Sequence, residues 1–266
     1  MIRIIITGAA GRMGRRLVAN IAQSNDLVLA GATEWEGSEF LGADAGALAG
    51  VNPNGVKITK DLAPLLKEAD AIIDFSTGNV MENAALAAEA GVAIIIGTTG
   101  LTMEQRAELK ALSSRARIIQ TTNYSVGVNL LFHLAKKTAL TLSEDFDIEI
   151  IEAHHNKKKD APSGTALSLA EVLTDARNLS MEEDLRHGRV GMVGARTKKE
   201  IGMHSVRGGD IVGDHTVLFA AEGERMELTH RASSRDTFAK GALRAARFLV
   251  NKENGFYDMQ DVLGLK

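Results

Sequence analysis

Cysteine is absent from the 266 residues. That excludes disulfide bonds and thiolate chemistry, and is compatible with a reducing cytosol. No stretch approaches the roughly 20 consecutive apolar residues of a membrane-spanning helix. The N-terminus, Met1-Ile-Arg-Ile-Ile-Ile-Thr7, reads as a strand; it lacks the longer apolar region and small-residue cleavage site of a signal peptide. An excess of positive charge is missing too. The 31 Lys and Arg stand against 34 Asp and Glu, a net charge of -3, so no basic field argues for nucleic acid. Repeats and low-complexity tracts are also lacking. What is present is 45% hydrophobic and 24% charged residues, the composition of a soluble globular enzyme and enough chain for two modest domains. The expectation is a cytoplasmic protein with no membrane and no nucleic-acid partner.

Ile2 to Thr7 is a near-continuous apolar run, as in a parallel strand buried on both faces. Gly8-Ala-Ala-Gly11-Arg-Met-Gly14 follows at once, and then Met13, Leu17 and Ile21 recur at helical spacing with Val18 alongside. Strand, glycine turn and helix form the context of a dinucleotide fingerprint. The glycines permit a tight turn, close pyrophosphate approach and close helix packing. The spacing is GxxGxxG, a looser pattern than GxGxxG, and a merely tight strand-helix turn satisfies it as well. The next strand, Leu27 to Thr33, leads into Glu34, about 20 residues past Gly14, where the fold places the partner of the adenosine ribose hydroxyls. A carboxylate there accepts hydrogen bonds from a diol and repels a 2′-phosphate. The plain alternative is a solvated glutamate at a strand end.

Alternation continues through a short helix over 62–69, a strand over 71–77, a helix over 80–90 stopped by Gly91, a strand over 93–96, a helix over 104–114 and a strand over 117–122. This is the pattern of a Rossmann-type, doubly wound parallel sheet. Ligands in such sheets bind beyond the carboxyl ends of the strands. Ser76-Thr77-Gly78, Gly97-Thr98-Thr99-Gly100 and Thr121-Thr122-Asn123-Tyr124 all fall at that edge. The second half reads differently. A helix over 129–142 precedes a strand over 146–154 in which Phe146, Ile148 and Ile150 share one face and Asp147 and Glu149 the other. A helix marked by Leu169, Val172, Leu173 and Ala176 follows, then strands over 203–207, 210–220 and 225–230. Ala221 to Glu224 is the hairpin turn between the last two, and Arg207-Gly-Gly-Asp210 reads as another hairpin turn. The fold class is therefore α/β, with a second α+β unit built on an open antiparallel or mixed sheet. The helix over 238–251 packs back on the first domain.

The chemistry is expected in Glu152-Ala-His-His-Asn-Lys-Lys-Lys-Asp-Ala-Pro-Ser-Gly-Thr165, which crowds two imidazoles and three ammonium groups into one loop. Its end can cap a helix whose free N–H groups face the loop. Such a loop suits a carboxylate-bearing substrate. If the strand persists to its end, His154 and His155 point opposite ways.

Taken in order, Gly8 to Gly14, Gly97-Thr-Thr-Gly100, Asn123-Tyr-Ser-Val-Gly-Val-Asn129, Glu152-Ala-His-His155, Asp160-Ala-Pro-Ser-Gly-Thr165 and Ser205-Val-Arg-Gly-Gly-Asp210 resemble the 4-hydroxy-tetrahydrodipicolinate (dihydrodipicolinate) reductase family from end to end. The resemblance implies a discontinuous dinucleotide-binding domain, 1–124 with 235–266, and a substrate-binding and tetramerisation domain, 125–234. It implies NAD(P)H-dependent reduction of the cyclic imine formed from 4-hydroxy-tetrahydrodipicolinate, a small dicarboxylate, by a homotetramer of lysine and diaminopimelate biosynthesis. By motif position His154 is the acid/base residue, Lys158 the proton donor, and His155, Gly164 and Thr165 the carboxylate binders. Gly8, Ala9, Ala10, Gly11, Arg12, Met13, Glu34, Gly97, Thr98, Thr99, Thr121, Thr122, Asn123 and Tyr124 match the cofactor contacts. Lys157 and Lys159 read as solvated, although either can share the role of Lys158. Members using both cofactors usually carry a basic residue after the ribose-binding acid; here Trp35 follows Glu34. NADH is therefore expected to be preferred over NADPH, unless Arg12, Arg15 or Arg16 reaches a 2′-phosphate.

Other readings compete. His154, His155 and His187 invite a metal, but adjacent strand histidines point apart and no HExxH-like pattern occurs, so no metal is expected. A non-catalytic dinucleotide sensor gives no reason for the His-Lys loop. Another Rossmann reductase acting on an imine or keto diacid shares the cation logic, and substrate testing separates it.

Overall fold

The computed structural model describes residues 1–142 and 144–266 in full. In chain order its elements are β1 (Ile2–Thr7), α1 (Arg12–Ala22), β2 (Leu27–Thr33), α2 (Ala45–Leu48), β3 (Ile58–Thr59), β4 (Ala71–Asp74), α3 (Val80–Ala90), β5 (Ala93–Ile96), α4 (Met103–Leu112) and β6 (Arg117–Gln120). They continue as α5 (Val126–Leu142), β7 (Asp147–His154), α6 (Gly164–Arg177), β8 (Leu185–His187), β9 (Ile201–Arg207), β10 (Gly213–Ala221), β11 (Glu224–Ala232), α7 (Asp236–Leu249), β12 (Gly255–Tyr257) and α8 (Met259–Leu263). The chain divides into two compact units, Met1–Val126 with Arg235–Lys266, and Gly127–Ser234. Among the described residues no helix is long and apolar enough to cross a membrane.

The first unit is a parallel sheet in the order β12-β6-β5-β4-β1-β2-β3. Its isoleucine runs divide by parity, as a strand's two-residue period requires. Ile4, Ile6, Ile73, Ile95 and Ile119 join one buried cluster with Leu17 of α1 and Leu243 of α7. Ile5, Ile72, Ile94, Ile96 and Ile118 join the cluster on the opposite face, with Ala84 of α3 and Leu109 of α4. Strand order reverses between β1 and β4, which makes that crevice the topological switch point where such sheets bind ligands.

Several expected boundaries shift for visible reasons. The strand from 71 ends at Asp74, whose buried carboxylate turns inward to accept the Ser76 N–H at 2.8 Å and the Asn83 side-chain amide at 2.8 Å. The helix expected from 104 begins at Met103, because Thr102 and Gln105 form a reciprocal capping box. The segment 62–69 narrows to a 3₁₀ turn, Ala63–Glu68, with Pro64 in its first positions. The edge strands β3, β8 and β12, two or three residues each, carry too few residues for any periodicity to show.

The second unit is a mixed sheet ordered β11-β10-β7-β9-β8. β10 runs antiparallel to β7 and β11, whereas β9 runs parallel to β7 and β8. Ile148, Ile150, Met203, Val217 and Phe219 pack on Phe132 of α5 and on Leu169 and Leu173 of α6. Glu149, on the other face of β7, is held by Arg189 at 2.7 Å and His204 at 2.7 Å. The Arg207–Asp210 segment is not the expected hairpin turn. β7 lies between β9 and β10, so this loop crosses the end of β7 instead of joining neighbours.

One glycine of α7 tests the packing of the first unit. A Cβ on Gly241 would lie 1.7 Å from the Tyr124 carbonyl oxygen, and backbone cannot swing aside as a side chain can. Gly241→Ala is expected to lower stability by about 1–3 kcal/mol, read from the urea midpoint. The exposed neighbour substitution Lys240→Ala should stay within about 0.5 kcal/mol. Equal midpoints for the two variants would contradict this packing.

Candidate active site

The His-Lys loop is built from the carboxyl end of β7. Parity carries Glu152 onto the same face as Ile148 and Ile150, so its carboxylate is fully buried. Each oxygen is doubly served. Oε1 accepts from Arg207 at 2.8 Å and from the Ser163 N–H at 3.1 Å. Oε2 accepts from Arg207 at 2.8 Å and lies 2.6 Å from His154 Nδ1. Burial alone would raise this carboxyl; the Arg207, His154 and Ser205 hydrogen bonds overcome it and hold it at about 2. The carboxylate thus orients His154 through Nδ1, leaving Nε2 as the ring's working nitrogen. Burial, together with the nearby Lys158 and Arg207 charges, depresses the His154 pKa, against the pull of Glu152.

Arg207 also donates to the Asp160 carbonyl at 2.8 Å, which ties the cationic loop to the same carboxylate. Within that loop Lys158 Nζ is 2.7 Å from Asp160 Oδ2. Lys157 and Lys159 are exposed and Lys158 is half-buried. Ser163 caps α6, its hydroxyl accepting from the Ala166 N–H at 3.1 Å. The same hydroxyl lies 3.0 Å from Nε2 of buried His215, whose ring meets His154 edge-on at 5.2 Å. Burial, then the proximity of His154, pushes His215 down to about 3, so it is neutral. Gly164 and Thr165 are the first residues of α6, and the first N–H groups of a helix lack intrahelical acceptors. Open space adjoins Gly164. An imidazole, an ammonium and a helix N-terminus at one loop form a receptor for a carboxylate with a proton source beside it.

The first unit carries a separate groove at its switch point. Gly8 has φ +71, and a Cβ on it would meet the Phe75 carbonyl oxygen of the β4 loop at 2.9 Å. A Cβ on Gly14 would meet the Gly8 carbonyl oxygen at 2.2 Å. Only glycine therefore closes this turn. A cavity of about 620 Å³ opens beside it, lined by Thr7, Gly8, Glu34, Trp35, Lys60 and Ser76 among others. Glu34 is anchored by the Ala10 N–H at 2.9 Å. The buried hydroxyl oxygens of Thr7 and Ser76 have no partner among the described residues. A close backbone turn, an acid at the end of β2 and two waiting hydroxyls fit the phosphate and ribose of a dinucleotide.

Comparisons with known proteins point to one family. The family model "Dihydrodipicolinate reductase, N-terminus" matches residues 2–124, and "Dihydrodipicolinate reductase, C-terminus" matches residues 127–263. The chain belongs to the dihydrodipicolinate reductase family. A 4-hydroxy-tetrahydrodipicolinate reductase of Chromohalobacter salexigens is 52% identical over 268 residues, covering 100% of both chains. That of Anaeromyxobacter sp. is 49% identical over 267 residues, covering 100% of this chain and 99% of its own. Among solved structures, dipicolinate-bound dihydrodipicolinate reductase from Paenisporosarcina sp. TG-14 superposes with a TM-score of 0.76 at 26% identity, covering 98% of each chain.

Of the expected site residues, His154 ends β7, His155 and Lys158 lie in the loop that follows, and Gly164 and Thr165 begin α6. Gly8 and Glu34 line the groove. Thr98 is the neighbour of Ser76 along the sheet edge, its hydroxyl donating to the Ser76 carbonyl at 2.6 Å. Tyr124 departs from expectation as a side chain: it is buried and its hydroxyl donates to the Ile96 carbonyl at 2.8 Å. Its ring belongs to the core, so only its backbone is left to face a ligand. Arg207 and His215 are neighbours of the site to which the sequence reading gave no role. Among the described residues no group of three or more His, Asp or Glu could hold a metal ion.

The Glu152 clamp predicts a pH signature. Its carboxyl titrates at about 2 in the fold against an ordinary 4.5, so its stabilisation is complete above pH 4.5 and is lost as pH falls toward 2. Glu152→Gln should cost on the order of 3 kcal/mol at pH 7. That gap should close through the same pH window in urea titrations. A pH-independent gap would contradict the clamp.

Proposed function

We propose that this chain reduces 4-hydroxy-tetrahydrodipicolinate, through its cyclic imine, to tetrahydrodipicolinate with NAD(P)H, in lysine and diaminopimelate biosynthesis. The observation that carries this reading is the His154–Glu152–Arg207 cluster beside Lys158 and the start of α6. The full-length relatives, which are 4-hydroxy-tetrahydrodipicolinate reductases, and the dipicolinate bound by the TG-14 protein support it. His155 and the Gly164 and Thr165 amides hold a substrate carboxylate. The reduced nicotinamide supplies a hydride. Reduction of the conjugated imine places negative charge at nitrogen, which takes a proton; Lys158 donates it. His154, fixed through Nδ1, exchanges protons at Nε2. In this reading the dinucleotide is held by Gly8 to Met13, Glu34, Gly97 to Thr99 and the backbone of Thr121 to Tyr124. The remaining parts, a cytoplasmic homotetramer, rest on family resemblance.

The groove supports the proposed preference for NADH over NADPH. Glu34 faces the ribose position, and Trp35 cannot neutralise a 2′-phosphate. Arg15 instead donates to the Ala10 carbonyl at 2.8 Å, and Arg16 pairs with Asp236 at 2.8 Å.

Two assays test the reading. Substrate is made in situ from pyruvate and aspartate semialdehyde by the upstream synthase, and NADH loss is followed by absorbance. Wild type should turn over, Lys158→Ala should lose about 10²- to 10⁴-fold in kcat, and Lys157→Ala should stay near wild type. No oxidation with either cofactor despite intact cofactor binding would refute the activity. Equal loss in Lys157→Ala would refute the assignment of Lys158. In the second assay kcat/KM with NADH should exceed that with NADPH; parity or reversal would refute the cofactor preference.

A further inference from the structure

Thr33 of β2 pairs with Thr59 of β3, and the Glu34 N–H donates to the Thr59 carbonyl at 2.9 Å. The next residues of the two strands, Glu34 and Lys60, therefore leave the sheet side by side at its carboxyl edge. Both line the 620 Å³ cavity, together with Trp35, Glu36, Asp61 and Glu82. Among the residues lining this cavity, four carboxylates face one ammonium, a sum of −4 and +1. That ammonium is already engaged: Lys60 Nζ is 2.7 Å from Glu36 Oε1.

We propose that Glu36 and Lys60 form a latch that sets dinucleotide preference: Lys60 is the cation placed to receive a 2′-phosphate, and Glu36 withholds it. This rests on the reading of the groove as the adenosine site. Lys60 is 49% and Glu36 80% exposed, and exposed pairs contribute little to stability. The latch opens cheaply and leaves the fold intact when broken. Glu36 acts twice, by occupying the lysine and by adding like charge to a dianionic phosphate. Of the alternative cations, Arg15 and Arg16 are committed to Ala10 and Asp236, and Arg12 is exposed and outside the lining of this cavity. Glu34 repels the phosphate directly; Glu36 acts through Lys60, so loss of Glu36 should leave binding of the unphosphorylated ribose nearly unchanged.

The chain's one tryptophan is Trp35, in the wall of this cavity. Its fluorescence reports nucleotide binding without turnover. Adenosine 5′-monophosphate and adenosine 2′,5′-bisphosphate are titrated into wild type, Glu36→Gln, Lys60→Gln and the double variant, with calorimetry in parallel. Glu36→Gln should tighten the bisphosphate relative to the monophosphate by about tenfold, the gain of a hydrogen bond to a charged group. The gain should vanish in the double variant and shrink as salt is raised. Monophosphate binding with no gain in Glu36→Gln, or a gain that survives loss of Lys60, overturns the latch alone. No binding of either nucleotide by either method overturns the groove reading and the latch with it.

Discussion

A single buried carboxylate organises the second unit. Glu152 has no access to water, and an ionised carboxylate in that position is tolerable only with strong compensation. Arg207 supplies it in a two-pronged grip, and the Ser163 N–H and His154 take the rest of its capacity. These contacts hold together β7, β9, the cationic loop and the cap of α6. Removing Arg207 strands the Glu152 carboxylate in the interior, and breaking such a pair costs about 3–5 kcal/mol. The chemistry inherits this rigidity. His154 is aimed because Glu152 is ionised, and the loop carrying Lys158 is tethered because Arg207 also reaches Asp160.

The first unit reaches its shape by a different route. Isoleucines of alternating parity on four central strands bury both sheet faces. Its demand is for close approach. Gly8 and Gly14 bring the β1 turn against the β4 loop and α1 with no room for a Cβ. That leaves a cavity whose polar groups, Glu34 and the unpartnered hydroxyls of Thr7 and Ser76, suit sugar and phosphate. Cations are nearly absent from its walls, and the one lysine there, Lys60, is paired with Glu36.

Legibility in the sequence followed the strength of local pattern. Fully buried strands announced themselves as apolar runs, and α3 stopped at Gly91, in the left-handed region as a terminating glycine requires. The Ser163 cap and the loop residues His154, His155 and Lys158 were visible because a short motif holds them together. Arg207 was not. It meets Glu152 only because β9 docks parallel to β7, setting Ser205 opposite Glu152 and Arg207 opposite His154, and no local pattern encodes that pairing. One signal was present: Glu152 shares parity with Ile148 and Ile150, and an acid in a core-facing register needs a cation from elsewhere. The same missing pairing made Arg207–Asp210 read as a hairpin turn. Tyr124 is a motif residue whose ring serves the core, which its motif alone does not reveal. Lys60 escaped notice because β3 is only two residues long.

The central claim is that the clamped histidine and the start of α6 form one receptor for a dicarboxylate. Pyridine-2,6-dicarboxylate titrated into the protein with NADH present, followed by the backbone amide resonance of Gly164 and the ring resonances of His154, tests it most directly. The account predicts that both move together along one saturable curve, with the His154 Nε2 signal shifting more than Nδ1, which Glu152 already holds. Tight binding that leaves Gly164 and His154 unmoved would place the dicarboxylate elsewhere and contradict the account.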